Sequence, residues 1–288
     1  MGNIYWSNYH SHCTFCDGRS TMEEFVVCAI SKGVKKYGFS SHAPLPFSTK
    51  WNMEESNFPH YESEFYRLKE KYKDQIELYF GLEVDYIHNC STINNDFFRD
   101  KSFDYLIGSL HYLDKLPDGG FWCIDGNFEE FNKGLHLLYG GDIQLATRRF
   151  FELTSEMIKI GDFDIVGHFD KISYNASHCP EFDITSQWYQ QLMGDALQLV
   201  KDNGLIMELN TKSLLDKGIT YPHQQFYPLI KELEIPIMVN SDCHHLPNVI
   251  IGFDHAFKML QDAGFKTMHQ LCHGKWKAVE FNEFGLIN

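Results

Sequence analysis

Arginine is scarce in this chain: Arg19, Arg67, Arg99, Arg148 and Arg149 are all there are in 288 residues. Acidic residues outnumber basic ones by 39 to 25, a formal charge of −14. A broad nucleic-acid-binding face needs a basic patch, so no nucleic-acid partner is expected. Long hydrophobic runs are missing too. None approaches the roughly 18 residues of a membrane span, and no membrane partner is expected. The first residues lack a basic stretch followed by an apolar core, so no secretory signal is expected. Met1-Gly2 opens like an acylation site, but Trp6 stands where Ser or Thr is wanted. Eight cysteines lie scattered at 13, 16, 28, 90, 123, 179, 243 and 272. Without a compact framework they imply reduced thiols in the cytoplasm. Cys13-x-x-Cys16 has no thioredoxin-like pattern before it and sits in a histidine loop, so thiol catalysis is not expected.

What is abundant is metal-ligand chemistry at the ends of short apolar runs. Ile4-Tyr5-Trp6 leads to His10-Ser11-His12, and on an extended chain residues i and i+2 face one side. Asp17 follows after a short turn and can fold back over the same spot. Ser41-His42, Gly81-Leu82-Glu83, Gly108-Ser109-Leu110-His111, Gly167-His168-Phe169-Asp170 and Ser241-Asp242-Cys243-His244 repeat the device. A lone His-x-His says little; five ordered recurrences say more. Histidines 60, 88, 136, 178, 223, 255, 269 and 273 fall elsewhere and read as structural or solvated. His245, beside His244, reads as support.

Between these runs lie helical patterns. Ser20-Thr21-Met22-Glu23 reads as a capping box in which Ser20 caps a helix facing inward through Met22, Phe25, Val26 and Ala29. Helices are also expected over 60–73, 91–101, 128–160 with a break at Gly140-Gly141, 183–202, 222–233 and 253–264. The segments 44–59 and 113–127 read as long loops, the first as a lid or pocket wall. Strand–helix alternation about seven times over, with no linker, implies a single α/β domain over 1–288, folded as a parallel barrel. In such barrels chemistry sits on the loops after the strands, where every suspect residue falls.

Taken in order, His10-x-His12, Asp17, Ser41-His42, Gly81-x-Glu83, Gly108-Ser109-x-His111, Gly167-His168-x-Asp170 and Ser241-Asp242-x-His244 resemble the polymerase and histidinol phosphatase (PHP) superfamily. Glu208-Leu209-Asn210-Thr211 and the chain length are similar to its monofunctional histidinol-phosphate phosphatases. The resemblance implies a distorted (β/α)7 TIM-like barrel and a trinuclear centre of divalent Zn, Mn or Fe. It implies one ion on His10, His12, Glu83 and Asp242, and a second on Glu83, His111 and His168 with Glu83 bridging. A third would take Asp17, His42 and His244. Asp17 replaces the histidine of many superfamily members, as in the histidinol-phosphatase branch.

Mixed imidazole–carboxylate donors suit these metals, and paired ions can activate a shared hydroxide for direct attack on phosphorus. Glu83, Asp242 and His244 are the candidate catalytic groups, with Asp242, His244 or a metal-bound water protonating the leaving alkoxide. Asp170 is expected to orient His168. Arg19, Lys212 and Lys171 are candidates for phosphate. Glu129, Asp125 or Asp118 could meet an amine, and Trp122 and Phe121 an imidazole. The reaction implied is hydrolysis of L-histidinol phosphate; phosphotyrosine protein or nucleotide phosphoesterase is the alternative. An amidohydrolase barrel also starts with His-x-His but would place a bridging lysine where Glu83 stands, and a non-catalytic metal protein would not need so complete a set. Oligomeric state is not legible.

Overall fold

Residues 4–287 are described by the computed structural model. Seven parallel strands form the wall: β1 (Ile4–Asn8), β2 (Val34–Phe39), β3 (Glu77–Asp85), β4 (Tyr105–Ser109), β7 (Ile165–Val166), β8 (Ile206–Asn210) and β9 (Ile237–Asn240), paired in that order. Between β4 and β7 the expected 113–127 loop is instead partly a hairpin, β5 (Tyr112–Lys115) with β6 (Phe121–Cys123). Three further strands, β10 (Thr267–Cys272), β11 (Lys275–Asn282) and β12 (Gly285–Ile287), run antiparallel and return to β1.

The wall closes between β9 and β1 in an unusual way. At the upper rim Ser11 bridges Cys243, and the His12 amide donates to the Cys243 carbonyl at 2.9 Å. Lower down, side chains substitute for backbone pairing: the Tyr9 amide donates to Asn240 Oδ1 at 2.8 Å, and Asn8 Nδ2 to Ser241 Oγ at 2.8 Å. Such long-range polar locks satisfy backbone groups that a full strand pair would otherwise take.

Alternation along the strands layers the barrel interior. Tyr79, Tyr105, Ile107, Ile165, Ile206 and Met238 form a buried apolar floor with Tyr9 and Leu271. Stepping by two up the same strands reaches Glu83 and Asp85 on β3, Glu208 on β8 and Asp242 after β9, all buried. The β10–β11 hairpin plugs the lower mouth. Tyr79 Oη donates to the Leu271 carbonyl at 3.0 Å, the Leu271 amide donates to Tyr9 Oη at 3.0 Å, and Trp276 Nε1 donates to Asp164 Oδ1 at 3.0 Å. A dry aromatic floor thus lies directly under the polar layer.

Helices pack outside the wall through apolar stripes. The longest, Ile143–Ile160, buries Ile143, Ala146, Phe150, Leu153 and Met157, a helical repeat of three and four. The first helix, Met22–Ser31, has Thr21 as its N-cap with Glu24 closing the capping box, one residue later than Ser20 and Glu23. Glu23 is taken elsewhere: its carboxylate accepts from Arg67 at 2.6 Å and Tyr72 at 2.8 Å. The helix expected over 91–101 shrinks to Asp96–Arg99. Asn94 donates its amide to Thr92 Oγ1 at 3.2 Å, a local bond that competes with a helical start. No helix among the described residues is long and apolar enough to cross a membrane.

Candidate metal centre

The centre is assembled from the strand ends around Glu83. His10 and His12 leave β1 on one face; their Nε2 atoms stand 3.2 and 3.5 Å from Glu83 Oε2. His42, after β2, brings Nδ1 to 3.0 Å from that same oxygen. The other oxygen, Oε1, faces His168 Nε2 at 2.8 Å and His111 Nε2 at 3.7 Å. One buried carboxylate therefore divides its two oxygens between two sets of imidazoles. Asp242 Oδ1 approaches His12 Nε2 at 3.2 Å and His10 Nε2 at 3.7 Å. Asp17 Oδ1 lies 3.2 Å from His244 Nε2 and 3.9 Å from His42 Nε2.

Local backbone makes this convergence possible. Gly18 is where the loop after His12 folds onto itself: a Cβ there would overlap the backbone of His12 and Cys13, so glycine alone lets Asp17 reach its place. Asp242 adopts φ +47°, a left-handed conformation that a carboxylate residue tolerates better than most and that few structural positions require.

Polar atoms within this group lack hydrogen-bond partners although they are buried. They are His10 Nε2, His12 Nε2, Asp17 Oδ1, His42 Nδ1 and Glu83 Oε2. They face one another at contact distance without hydrogen-bond alignment. Burying such atoms unpaired is costly, and convergent lone pairs from imidazole and carboxylate are what a divalent cation satisfies. Groupings compatible with an ion include His12–Asp17–His42–His244, His10–His12–Glu83 and Glu83–His111–His168. The residues present fit a multinuclear centre.

Electrostatics point the same way. Burial would raise the carboxyl of Glu83, but the imidazoles of His10, His42 and His111 hold it well below the usual range. Asp242, likewise penalised by burial, is held down by Lys212 and His10. Against its own burial, His10 is pushed well up by Glu208, Glu83 and Asp242. His12 goes the other way, lowered by burial and by His244 and His42. For His111, burial is outweighed by Asp85 and Glu83, and it rises to about 9.

Two imidazoles of this group are held from behind by carboxylates. His10 Nδ1 lies 2.6 Å from Glu208 Oε1, and His111 Nδ1 lies 2.6 Å from Asp85 Oδ1. Glu208 also accepts from the His168 amide at 2.8 Å and from Asn240 Nδ2 at 3.1 Å. Asp85 escaped the sequence reading; its signal was the i, i+2 spacing from Glu83. Asp170 does not orient the His168 ring. Its Oδ2 accepts from the His223 amide at 3.1 Å, and burial raises its carboxyl to about 7.

Above the centre opens a cleft of about 170 Å³, lined by Asp17, His42, Trp51, His111, Cys123, Asp125, Gly126, Lys212, Asp242 and His244. The 44–59 segment is thus a pocket wall through Trp51, which stacks on Tyr112 at 5.6 Å. Lys212 Nζ lies in the cleft, 3.2 Å from Asp242 Oδ1. Lys171 is buried and paired with Asp125 at 3.0 Å, so it reaches the cleft through that carboxylate. Arg19 is exposed and outside the lining; its amide donates to the His244 carbonyl at 2.8 Å. Trp122 is buried against Phe131, Phe121 stacks on Phe47, and neither lines the cleft, nor do Glu129 and Asp118.

The profile described as the PHP domain matches residues 8–212. The chain belongs to the PHP family. That match takes in most of the strand-end residues of the centre, and Asp242 and His244 follow beyond it. The PHP chain is 29% identical over 272 residues to the histidinol-phosphatase of Lactococcus lactis subsp. lactis (strain IL1403), covering 91% of this chain and 92% of that one. The crystal structure of hisK from Listeria monocytogenes superposes with a TM-score of 0.77 at 28% identity, over 86% of this chain and 99% of that one. A histidinol phosphate phosphatase from L. lactis, solved with Zn, L-histidinol and phosphate, has a TM-score of 0.72 at 20% identity, covering 99% of this chain and 100% of that one. The PHP barrel is thus the fold of the described chain.

Proposed function

We propose that this PHP protein is a metal-dependent phosphomonoesterase that hydrolyses L-histidinol phosphate to L-histidinol and phosphate, a step of histidine synthesis. What carries the reading is Glu83, whose two oxygens face separate imidazole sets beneath an open cleft. The L. lactis relative, matched over 92% of its length, carries that substrate in its name. In our reading His10, His12, Glu83 and Asp242 hold one cation, Glu83, His111 and His168 a second, and Asp17, His42 and His244 a third. When bound, such cations neutralise phosphate oxygens and make water a better nucleophile near neutral pH.

The chain's own groups do the rest. Lys212 Nζ, beside Asp242 in the cleft, meets a phosphate oxygen. The Lys171–Asp125 pair sets the opposite wall, Asp125 facing the substrate amine and Trp51 its ring. Both nitrogens of His244 are engaged, Nδ1 with the Asp242 carbonyl at 3.0 Å and Nε2 with Asp17. In this reading Asp242, which lines the cleft beside Lys212, takes a proton from the attacking water and returns it to the leaving alkoxide. A cytoplasmic setting agrees with eight free cysteines. The experiment is phosphate release from L-histidinol phosphate, tyrosine phosphate and 5′-nucleotides after reconstitution with Zn or Mn. At least a tenfold preference in kcat/KM for histidinol phosphate is expected; equal or reversed preference removes the substrate assignment and leaves a phosphoesterase.

A further inference from the structure

His12, like His10, is fully buried. Its ring stacks on His244 at 4.0 Å and 19°, and lies 4.4 Å from the His42 ring. Its Nε2 faces Asp242 and Glu83, so a cation there requires the proton on Nδ1. His10 and His111 meet that requirement with carboxylates. Behind His12 stands a thiol instead: Cys16 Sγ, 3.5 Å from Nδ1, its partner among the described residues.

The loop is built to put it there. Cys16 donates its amide to the Cys13 carbonyl at 2.9 Å, and Thr14 donates to the Ser20 carbonyl at 3.0 Å, folding 13–20 back over His12. The Ser41 hydroxyl lies 3.4 Å from the Sγ of Cys13, the residue whose carbonyl takes the Cys16 amide. With a cation on Nε2 the imidazole proton sits on Nδ1, and the sulfur it faces at 3.5 Å is its acceptor. Since the two nitrogens of an imidazole point away from each other, Cys16 stands behind the ring and is not itself placed to ligate.

We propose that Cys16 is the positioning residue of His12, a neutral thiol that holds its Nδ1–H tautomer and aims Nε2 at the cation. The proposal rests on reading His12 as a metal ligand. Sulfur is a weak acceptor, so this imidazole is held less firmly than its carboxylate-backed neighbours, and its orientation depends on the loop.

The test is Zn²⁺ titration of the full chain against a competing chromophoric chelator, for wild type, C16A, C16V, H12A and C28A. Thermal unfolding with chelator present reports the metal-free fold. C16A and C16V are expected to weaken one Zn²⁺ by about tenfold, the lower end for partners of ligand histidines. Their metal-free unfolding midpoints should stay near wild type, and C28A, whose thiol touches the Leu246 carbonyl, should bind like wild type. C16S, which restores an acceptor, should recover part of the loss. If C16A does not fold, C16V, of similar shape, gives the same readout. Affinities within twofold of wild type in the Cys16 variants, with H12A impaired, overturn the proposal alone. Unchanged binding in H12A overturns the ligand reading and the proposal with it.

Discussion

Asp85 Oδ1 stands 2.6 Å from His111 Nδ1, both buried, while the same strand carries Glu83 two residues earlier toward the far nitrogen of that ring. One strand thus supplies both a donor to the centre and the carboxylate that orients a neighbouring donor. Replacing Asp85 by Asn keeps size but removes the charge. D85N is expected to weaken metal binding by about 10–100-fold, read by chelator competition, while D114N, which loses a surface pair with Arg149, should leave it unchanged.

The metal-free centre should store protons. His111 is pushed from 6.5 to about 9, so it is protonated at pH 7 without cations, and Glu208, Glu83 and Asp242 shift His10 in the same direction. His12 is pushed down and holds none to release. Ligation needs neutral imidazole, so loading at pH 7 should release at least the one proton held by His111. Calorimetry in buffers of different ionisation enthalpy reads this number; zero release would contradict the protonated state.

That same shift fixes the sign of the pH effect on the metal-free fold. A raised folded-state pKa contributes stability below the unfolded value and loses it as pH climbs through the folded one. For His111 the window runs from 6.5 to about 9. Metal-free wild type should lose more stability across that window than D85N, as measured by urea unfolding at each pH.

Beneath the centre, Leu271 is 1% exposed and its backbone ties Tyr9 to Tyr79. L271A should cost about 2–5 kcal/mol by urea unfolding. Metal stoichiometry of the folded fraction should be unchanged, because the hairpin seals the floor and holds none of the donors.

Legibility followed the range of the interactions. His10, Glu83, His111 and Asp242 were readable because strand alternation repeats a donor pattern that chance rarely orders. The helix start was not, since Ser20–Glu23 and Thr21–Glu24 offer the same local box. Arg67 and Tyr72, more than 40 residues on, decide it by claiming Glu23. Asp170 shows the same limit: adjacency to His168 in sequence did not reveal that the His223 amide, 53 positions away, would take its carboxylate. The floor hairpin has ordinary strand composition, and its partners Tyr9 and Asp164 lie over a hundred residues distant.

Crystals of the zinc-loaded protein, measured on both sides of the zinc absorption edge, test the centre most directly. Anomalous peaks are expected on each side of Glu83, one among His10, His12 and Asp242 and one between His111 and His168, with a third by Asp17, His42 and His244. Peaks confined to other parts of the molecule, with Glu83 still bonded only to histidines, would contradict it.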